Sequence, residues 1–129
     1  MGRRLGDVIA DCLARATGHG ISAIVVTKPD GERTCESPYE WYHRAQDEVA
    51  TWAKAQGRGR TVRILAVVDT IITGLYSHMA SLRFFGVNNR FMRPEYICQE
   101  TVSFDQLKDE FGGQLKTGRV YDVTDVMLS

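Results

Sequence analysis

Arginine, aromatic and asparagine side chains are concentrated in the middle of the chain, and these are residue types that bind nucleic acids. Residues 58–93 contain six arginines and a single acidic residue, Asp69, whereas residues 94–129 carry more acidic than basic residues. Arginine pairs bidentately with phosphate, aromatic rings stack on unpaired bases, and asparagine amides contact phosphate oxygens or base edges. The segment therefore predicts a nucleic-acid-binding surface, for RNA ahead of DNA.

Ten residues of this segment form the predicted interface: Arg58, Arg60, Arg63, Arg83, Phe85, Asn88, Asn89, Arg90, Phe91 and Arg93. Gly57 and Gly59 would let the backbone approach a phosphate closely. The segment does not follow the ordered consensus of the RNA-recognition motif, so that fold is not predicted. In the structural alternative, Phe84 and Phe85 are core residues and the arginines form a solvated face.

Enzymatic activity is a weaker hypothesis, built on Asp69 and a histidine. Asp69 follows the apolar run 64–68, and ligands gather at the carboxyl ends of strands in α/β sheets. An acid there can also simply cap the next element. The histidines and cysteines show no CxxC, HxxxH or HExxH spacing, so the sequence predicts no metal, no cofactor and no named catalytic residue.

A protein-interaction or inhibitory accessory module is the second hypothesis. Tyr39, Trp41 and Tyr42, or the acidic last third of the chain, would then form the contact surface. A homodimer is expected on general grounds, because a predicted edge strand after Gly118 would need to be covered.

The three cysteines, Cys12, Cys35 and Cys98, are odd in number and far apart, which predicts free thiols and a reducing, cytoplasmic environment. Asp7 and Asp11 interrupt the apolar stretch that a signal peptide would need. No apolar run approaches the roughly 18 residues of a membrane helix, so no membrane association is predicted.

The elements that would position these residues follow from periodicity and from capping signals. With 129 residues, 43% of them hydrophobic, the chain is expected to be a single globular domain spanning 1–129. A first helix is predicted over 5–16, ended by Gly18, and a strand over 21–27. A turn at 28–31 and a return strand over 32–36 would complete a hairpin.

A second helix is predicted over 37–56. Ser37 and Glu40 form a capping box at its start. Its predicted buried stripe is Tyr42, Ala45, Val49, Trp52 and Ala53, with Trp41 off the stripe.

The central strand is predicted over 61–68, because this stretch is β-branched, apolar and bounded by glycine. Residues 70–73 could extend it, but apolar residues at helical spacing favour a helix over 71–85 that Gly86 ends. A loop at 87–94, a strand over 96–102, a helix from Ser103 to about Gly112 and an edge strand over 119–123 follow. The resulting order, α-β-β-α-β-α-β-α-β, predicts an α+β or α/β domain with a central sheet in a three-layer arrangement.

Overall fold

The computed structural model describes residues 4–18, 20–30, 37–56, 61–73, 78–88, 93–103 and 116–128. Within these residues the chain forms three helices and five strands. They are α1 (Leu5–Thr17), β1 (Ile21–Asp30), α2 (Pro38–Arg44), α3 (Gln46–Ala55), β2 (Thr61–Thr73), β3 (His78–Asn88), β4 (Pro94–Ser103) and β5 (Val120–Leu128). The α+β class predicted from the sequence is confirmed. In the described part of the chain, none of the helices has the length and apolar character needed to span a membrane.

All five strands belong to one sheet, in the order β1-β5-β2-β3-β4, and every neighbouring pair is antiparallel. β2 lies in the middle, and its first eight residues, 61–68, are buried. Side chains alternate between the two faces of a strand. Ile64, Ala66 and Val68 therefore join one hydrophobic cluster, whereas Leu65 and Val67 join another. The predicted central strand is confirmed.

Helix α1 covers the first of these two faces. Its apolar stripe is buried against the even-numbered residues of β2, as the helical periodicity predicts, and consists of Leu5, Val8, Ile9, Cys12 and Leu13. Gly18 ends the helix with a φ of 69°, a left-handed conformation that glycine adopts without steric cost.

Helices α2 and α3 contribute to the second face. The Ser37 hydroxyl accepts a hydrogen bond from the Glu40 amide at 3.2 Å, which confirms the predicted N-cap. The single predicted helix is divided at Ala45, whose φ and ψ are −106° and 16°. Trp41 is only 1% exposed, so its predicted position off the buried stripe is wrong. Trp41, Ala45 and Val49 nevertheless all join the second hydrophobic cluster.

Residues 71–73 and 78–85 form strands where the sequence predicts a helix over 71–85. β2 continues to Thr73, and β3 returns beside it with Thr73 opposite His78. Ala80, Leu82 and Phe84 are buried while Ser81 and Arg83 are less so, which is the period of a strand. The apolar residues of this segment satisfied both periods in sequence, and pairing with β2 and β4 selected the strand.

Gly86 lies inside β3 and does not end a helix. A Cβ atom at this position would come within 2.7 Å of Ile97 Cδ1 and 2.8 Å of Val62 Cγ1. The glycine therefore allows β2, β3 and β4 to pack closely at this point.

Other boundaries differ from the sequence predictions. Residues 28–30 belong to β1, which pairs with β5, so the predicted turn does not begin at Lys28. The predicted loop 87–94 begins and ends with strand residues, since Val87 pairs with Pro94. Ser103 is the last residue of β4. The predicted return strand over 32–36 and the helix beyond Ser103 lie outside the described residues.

The last strand, β5, lies between β1 and β2, so its predicted position at the sheet edge is wrong. The expected dimer depended on an uncovered edge at this strand, and that reason does not apply.

The predicted free thiols are wrong for two of the three cysteines. Cys12 on α1 and Cys98 on β4 form a disulfide, with a Cα–Cα distance of 6.0 Å. They are separated by 86 residues in sequence, and only the packing of α1 against β4 brings them together. Cys35 lies outside the described residues.

Candidate nucleic-acid interface

Two arginines of the predicted interface, Arg63 and Arg83, lie on neighbouring central strands but in different surroundings. Arg63 belongs to a group that we call the buried charge cluster, defined by Arg63, Glu48, Asp122 and Asp125. Arg83 belongs to a group that we call the open aromatic face, defined by Tyr39, Phe85, Tyr96 and Arg83. Both groups lie beside the second hydrophobic cluster, which contains Trp41, Leu65 and Phe85.

Arg63 is the centre of the buried charge cluster and is 8% exposed. Its Nε atom lies 3.1 Å from Oδ1 and 3.0 Å from Oδ2 of Asp122. Its Nη2 atom donates to Glu48 Oε1 at 2.9 Å and also contacts Asp122. The Arg63 side chain thus connects β2 to both β5 and α3.

Two tryptophans enclose the same guanidinium group. The Arg63 Cζ atom lies 5.3 Å from the ring centroid of Trp41 and 5.8 Å from that of Trp52. A cation at these distances is attracted to the face of an aromatic ring. Arg63 therefore joins helices and sheet inside the protein, and it does not belong to an exposed phosphate-binding surface.

The electrostatics of the cluster follow from burial and from charge pairing. Burial lowers the pKa of Arg63, but hydrogen bonds to Asp122 and Glu48 and their charges outweigh this effect and raise it overall. Burial raises the pKa of Asp125, and the nearby Asp122 carboxylate acts in the same direction. The Trp52 indole and Arg63 oppose this rise, although the buried Trp52 Nε1 makes no hydrogen bond of ordinary geometry. Arg63 is therefore charged throughout the physiological range.

The open aromatic face is built around the ring of Phe85, which is 4% exposed. Tyr39 meets it edge-on, with ring centroids 6.3 Å apart and planes at 78°. Tyr96 meets it at 5.7 Å and 75°. The two tyrosines are 58% and 54% exposed, so a buried ring supports two solvent-exposed rings.

Different elements bring these three rings together. Tyr39 is in the first turn of α2, which the Ser37 cap initiates. Tyr96 on β4 pairs with Phe85 on β3. The next pair is Cys98 with Phe84, so Ile97 is an extra residue in β4 at this irregularity. Ile97 and Cys98 pack against the α1 cluster. The irregularity therefore places Tyr96 beside Phe85.

Polar side chains accompany the rings. The Arg83 Cζ atom lies 5.6 Å from the ring centroid of Phe85, and Arg83 Nε donates to Asp69 Oδ1 at 2.6 Å. Asp69 lies within β2, at an irregularity between Val68 and Thr70, and not at the strand end that the sequence analysis predicts. Gln99 Nε2 donates to Ser81 Oγ at 2.6 Å. Donors and acceptors thus lie on β2, β3 and β4, the last two of which carry Phe85 and Tyr96.

The other predicted interface residues are only partly described. Asn88 is the last residue of β3, and Arg93 directly precedes β4, at the same end of this strand pair. Arg93 is exposed, and its Nε atom lies 3.4 Å from Glu95 Oε1. Arg58, Arg60, Asn89, Arg90 and Phe91 lie outside the described residues. Of the predicted set, the structure brings Arg83 and Phe85 together and places Arg63 apart.

Tyr39, Tyr96 and Gln99 were not in the predicted nucleic-acid interface, although Tyr39 was predicted for a protein-contact surface. No local motif indicates them, because their proximity to Phe85 depends on how α2 and β4 meet β3. The pairing of Phe85 with Tyr96 could have been inferred only once β3 was known to be a strand that pairs with β4.

No family model, curated protein or solved structure matches this chain. In the part of the chain that the structure describes, no three His, Cys, Asp or Glu side chains are grouped so as to hold a metal ion. The open aromatic face is therefore the feature of the described residues from which a function can be inferred.

Proposed function

We propose that this protein is a non-enzymatic, cytoplasmic nucleic-acid-binding protein that stacks unpaired bases on the open aromatic face. The observation that carries the proposal is the pair of exposed rings, Tyr39 and Tyr96, supported from both sides of the buried Phe85 ring. Exposed aromatic side chains on a sheet are the usual platform for single-stranded nucleic acid.

Stacking of bases on Tyr39 and Tyr96 supplies most of the favourable binding free energy in this proposal. Base–aromatic stacking contributes about 1–3 kcal/mol per base. Contact with Phe85 restricts the two tyrosine rings before a ligand arrives, which lowers the entropy cost of binding. The Gln99 amide and the Ser81 hydroxyl lie on the same strands and have hydrogen-bonding capacity for base edges or a ribose hydroxyl.

Among the described residues, contacts to phosphate are expected to contribute less binding free energy than stacking does. Arg83 is paired with Asp69, and Arg93 with Glu95, so each cation already has a carboxylate partner. A phosphate would have to compete for these arginines, and few counterions would be released. The salt dependence contributed by these residues should therefore be shallow.

Unpaired RNA is proposed ahead of DNA. Sequence-specific RNA recognition is directed mainly at loops and ends whose bases are available for stacking. Duplexes expose only the edges of their bases in the grooves, so Tyr39 and Tyr96 could stack on a base only after the duplex had been unstacked.

Fluorescence anisotropy with labelled single-stranded RNA tests the proposal, beside single-stranded DNA and both duplexes, at several salt concentrations. Tyr39→Ala and Tyr96→Ala should each weaken binding of the single strand by about 1–3 kcal/mol. Tyr96→Phe keeps the ring and should bind nearly as well as the parent. Ile72→Ala, at an exposed apolar residue outside the face, is the matched control. Failure to bind any nucleic acid at low salt would overturn the proposal.

A protein-interaction role is the second candidate, because exposed tyrosines over a buried ring also resemble an interface hot spot. Tyr39 and Tyr96 replace Trp41 as the contact residues, since Trp41 is buried. Under this alternative, which includes self-association as a dimer, binding is to a protein and tolerates salt. Sedimentation velocity of the parent and of Tyr96→Ala distinguishes a dimer through this face from a monomer.

A further inference from the structure

The Cys12–Cys98 disulfide attaches to β4 on the sheet face opposite the open aromatic face. Cys98 is two residues from Tyr96 in β4. Cys98 and Ile97 pack against the α1 cluster, while Tyr96 contacts Phe85 of the second cluster. The strand that presents one of the two exposed rings is thus covalently attached to α1 through its other face.

β4 has limited support from the rest of the sheet. In the described sheet order it is an outer strand, paired with β3 on one side. Its pairing is irregular between Phe84 and Phe85, next to both Cys98 and Tyr96. A second link between α1 and β4 is an ion pair between Arg15 and Glu100. The disulfide is the single covalent bond that holds the irregular part of this strand in place among the described residues.

We propose that the Cys12–Cys98 disulfide is a redox-controlled link that fixes β4 and thereby the position of Tyr96. Oxidation of the two thiols would order the open aromatic face, and reduction would loosen it. The consequence for ligand binding rests on the proposed function. Disulfides in reducing compartments are usually transient or redox-sensing, and this fits a link whose state changes with the surroundings.

The chemistry is thiol–disulfide exchange with a small thiol such as glutathione. A glutathione thiolate attacks Sγ of Cys98, because Cys98 is only partly buried while Cys12 is fully buried. The protein S–S bond breaks, a mixed disulfide forms on Cys98, and Cys12 leaves as a thiolate that takes up a proton. A second glutathione releases Cys98 as a thiol, and the products are two protein thiols and one glutathione disulfide. Glutathione disulfide drives the reverse reaction.

The experiment compares full-length protein incubated with glutathione disulfide and the same protein incubated with reduced glutathione. Intact mass gives the redox state. Hydrogen exchange measured by mass spectrometry reports the order of β4, and anisotropy with labelled single-stranded RNA reports binding. On reduction, amides of 94–103 should exchange roughly tenfold faster or more, while 61–68 in the central strand change little. RNA affinity should fall several-fold and return on reoxidation.

Two variants make the comparison specific. Cys35→Ser keeps both linked cysteines and should behave like the parent. Cys98→Ser should resemble the reduced parent under both conditions. Because the parent itself is studied in two redox states, the test does not depend on the folding of Cys98→Ser.

Equal exchange of β4 in the two redox states would overturn the inference, as would two free thiols after incubation with glutathione disulfide. RNA binding of equal strength in both states would also overturn it. If RNA binds in neither state but β4 exchange still follows the redox state, the link to β4 is supported and the proposed function alone fails.

Discussion

Arg63 and Arg83 occupy neighbouring strands of one sheet, yet they have opposite environments. The Arg63 side chain is 10% exposed and contacts two carboxylates and two tryptophan rings. The Arg83 side chain is 38% exposed and contacts one carboxylate and one phenylalanine ring. The difference arises because α3 and Trp41 enclose Arg63, whereas Arg83 contacts only the Phe85 ring and Asp69 and stays partly exposed. The elements packed over the guanidinium group, and not the residue type, decide whether an arginine is enclosed in the fold or reaches the solvent.

Removal of Arg63 and removal of Arg83 should therefore lower the unfolding free energy by different amounts. Removing one member of a buried ion pair leaves a charge without its partner and costs several kcal/mol, whereas exposed pairs contribute little. This contrast can be tested by changing one region while the other is kept intact.

The largest effect is expected from Arg63→Ala. It leaves the Asp122 carboxylate without its cation, and it removes the contacts to Trp41 and Trp52. The unfolding free energy should fall by about 3–5 kcal/mol, measured by urea denaturation. Arg83→Ala is the matched control and should cost less than about 1 kcal/mol. Equal losses for the two variants would contradict the distinction between the regions.

Gly86→Ala is expected to have an intermediate effect, from packing alone. The added methyl group would collide with Val62 and Ile97 on the α1 side of the sheet. The cost should be about 1–3 kcal/mol of unfolding free energy. The charged residues of both regions are unchanged, so a larger loss than that of Arg63→Ala would show that strand packing outweighs the buried charges.

Ser37→Ala should have a smaller effect, felt in both regions. The cap hydrogen bond to Glu40 would be lost, at about 1 kcal/mol. Because α2 carries both Trp41 and Tyr39, stability and binding to the open aromatic face should weaken together. Ser37→Asp keeps a capping oxygen and serves as the control. A loss in one region only would indicate that α2 does not couple them.

The smallest effect is expected in the pH dependence, through Asp125. Its pKa in the folded protein is raised above the ordinary value of 3.8, mainly by burial. Just above 3.8 the folded state therefore holds more protons than the unfolded state, so this group makes stability decrease as pH rises through its folded pKa. Asp125→Asn should remove that decrease and raise stability at neutral pH. Urea denaturation between about pH 4 and about pH 7 measures it. A steeper decrease in the variant would contradict the assignment.

Part of the fold follows from local signals. The apolar stripe of α1, the left-handed Gly18 and the Ser37 cap are readable because each depends on residues within one or two turns. The segment 71–85 could not be read in this way, since its apolar residues satisfied both a helical and a strand period. Its pairing partners lie on β2 and β4, and only that pairing distinguishes the two.

The candidate site was less predictable than the fold. Arg83 and Phe85 were expected in an interface, and the structure places them in contact, but with the Phe85 ring buried. Arg63 was expected there too, but its environment depends on Glu48 and Asp122, which lie 15 and 59 residues away. Tyr39 and Tyr96 had no local signal, because their contact with Phe85 arises from the meeting of α2 and β4 with one strand.

The sequence by itself determined a mixed domain of helices and strands, α+β or α/β, together with the buried strand at 61–68 and the ends of the first helix. These features depend on hydrophobic periodicity and on capping, which act over a few residues. Tertiary structure alone decided which arginine is buried, which rings form a platform and that Cys12 meets Cys98. Each of these outcomes joins residues on different elements, and their proximity is set by sheet order and by helix packing, which no local pattern encodes.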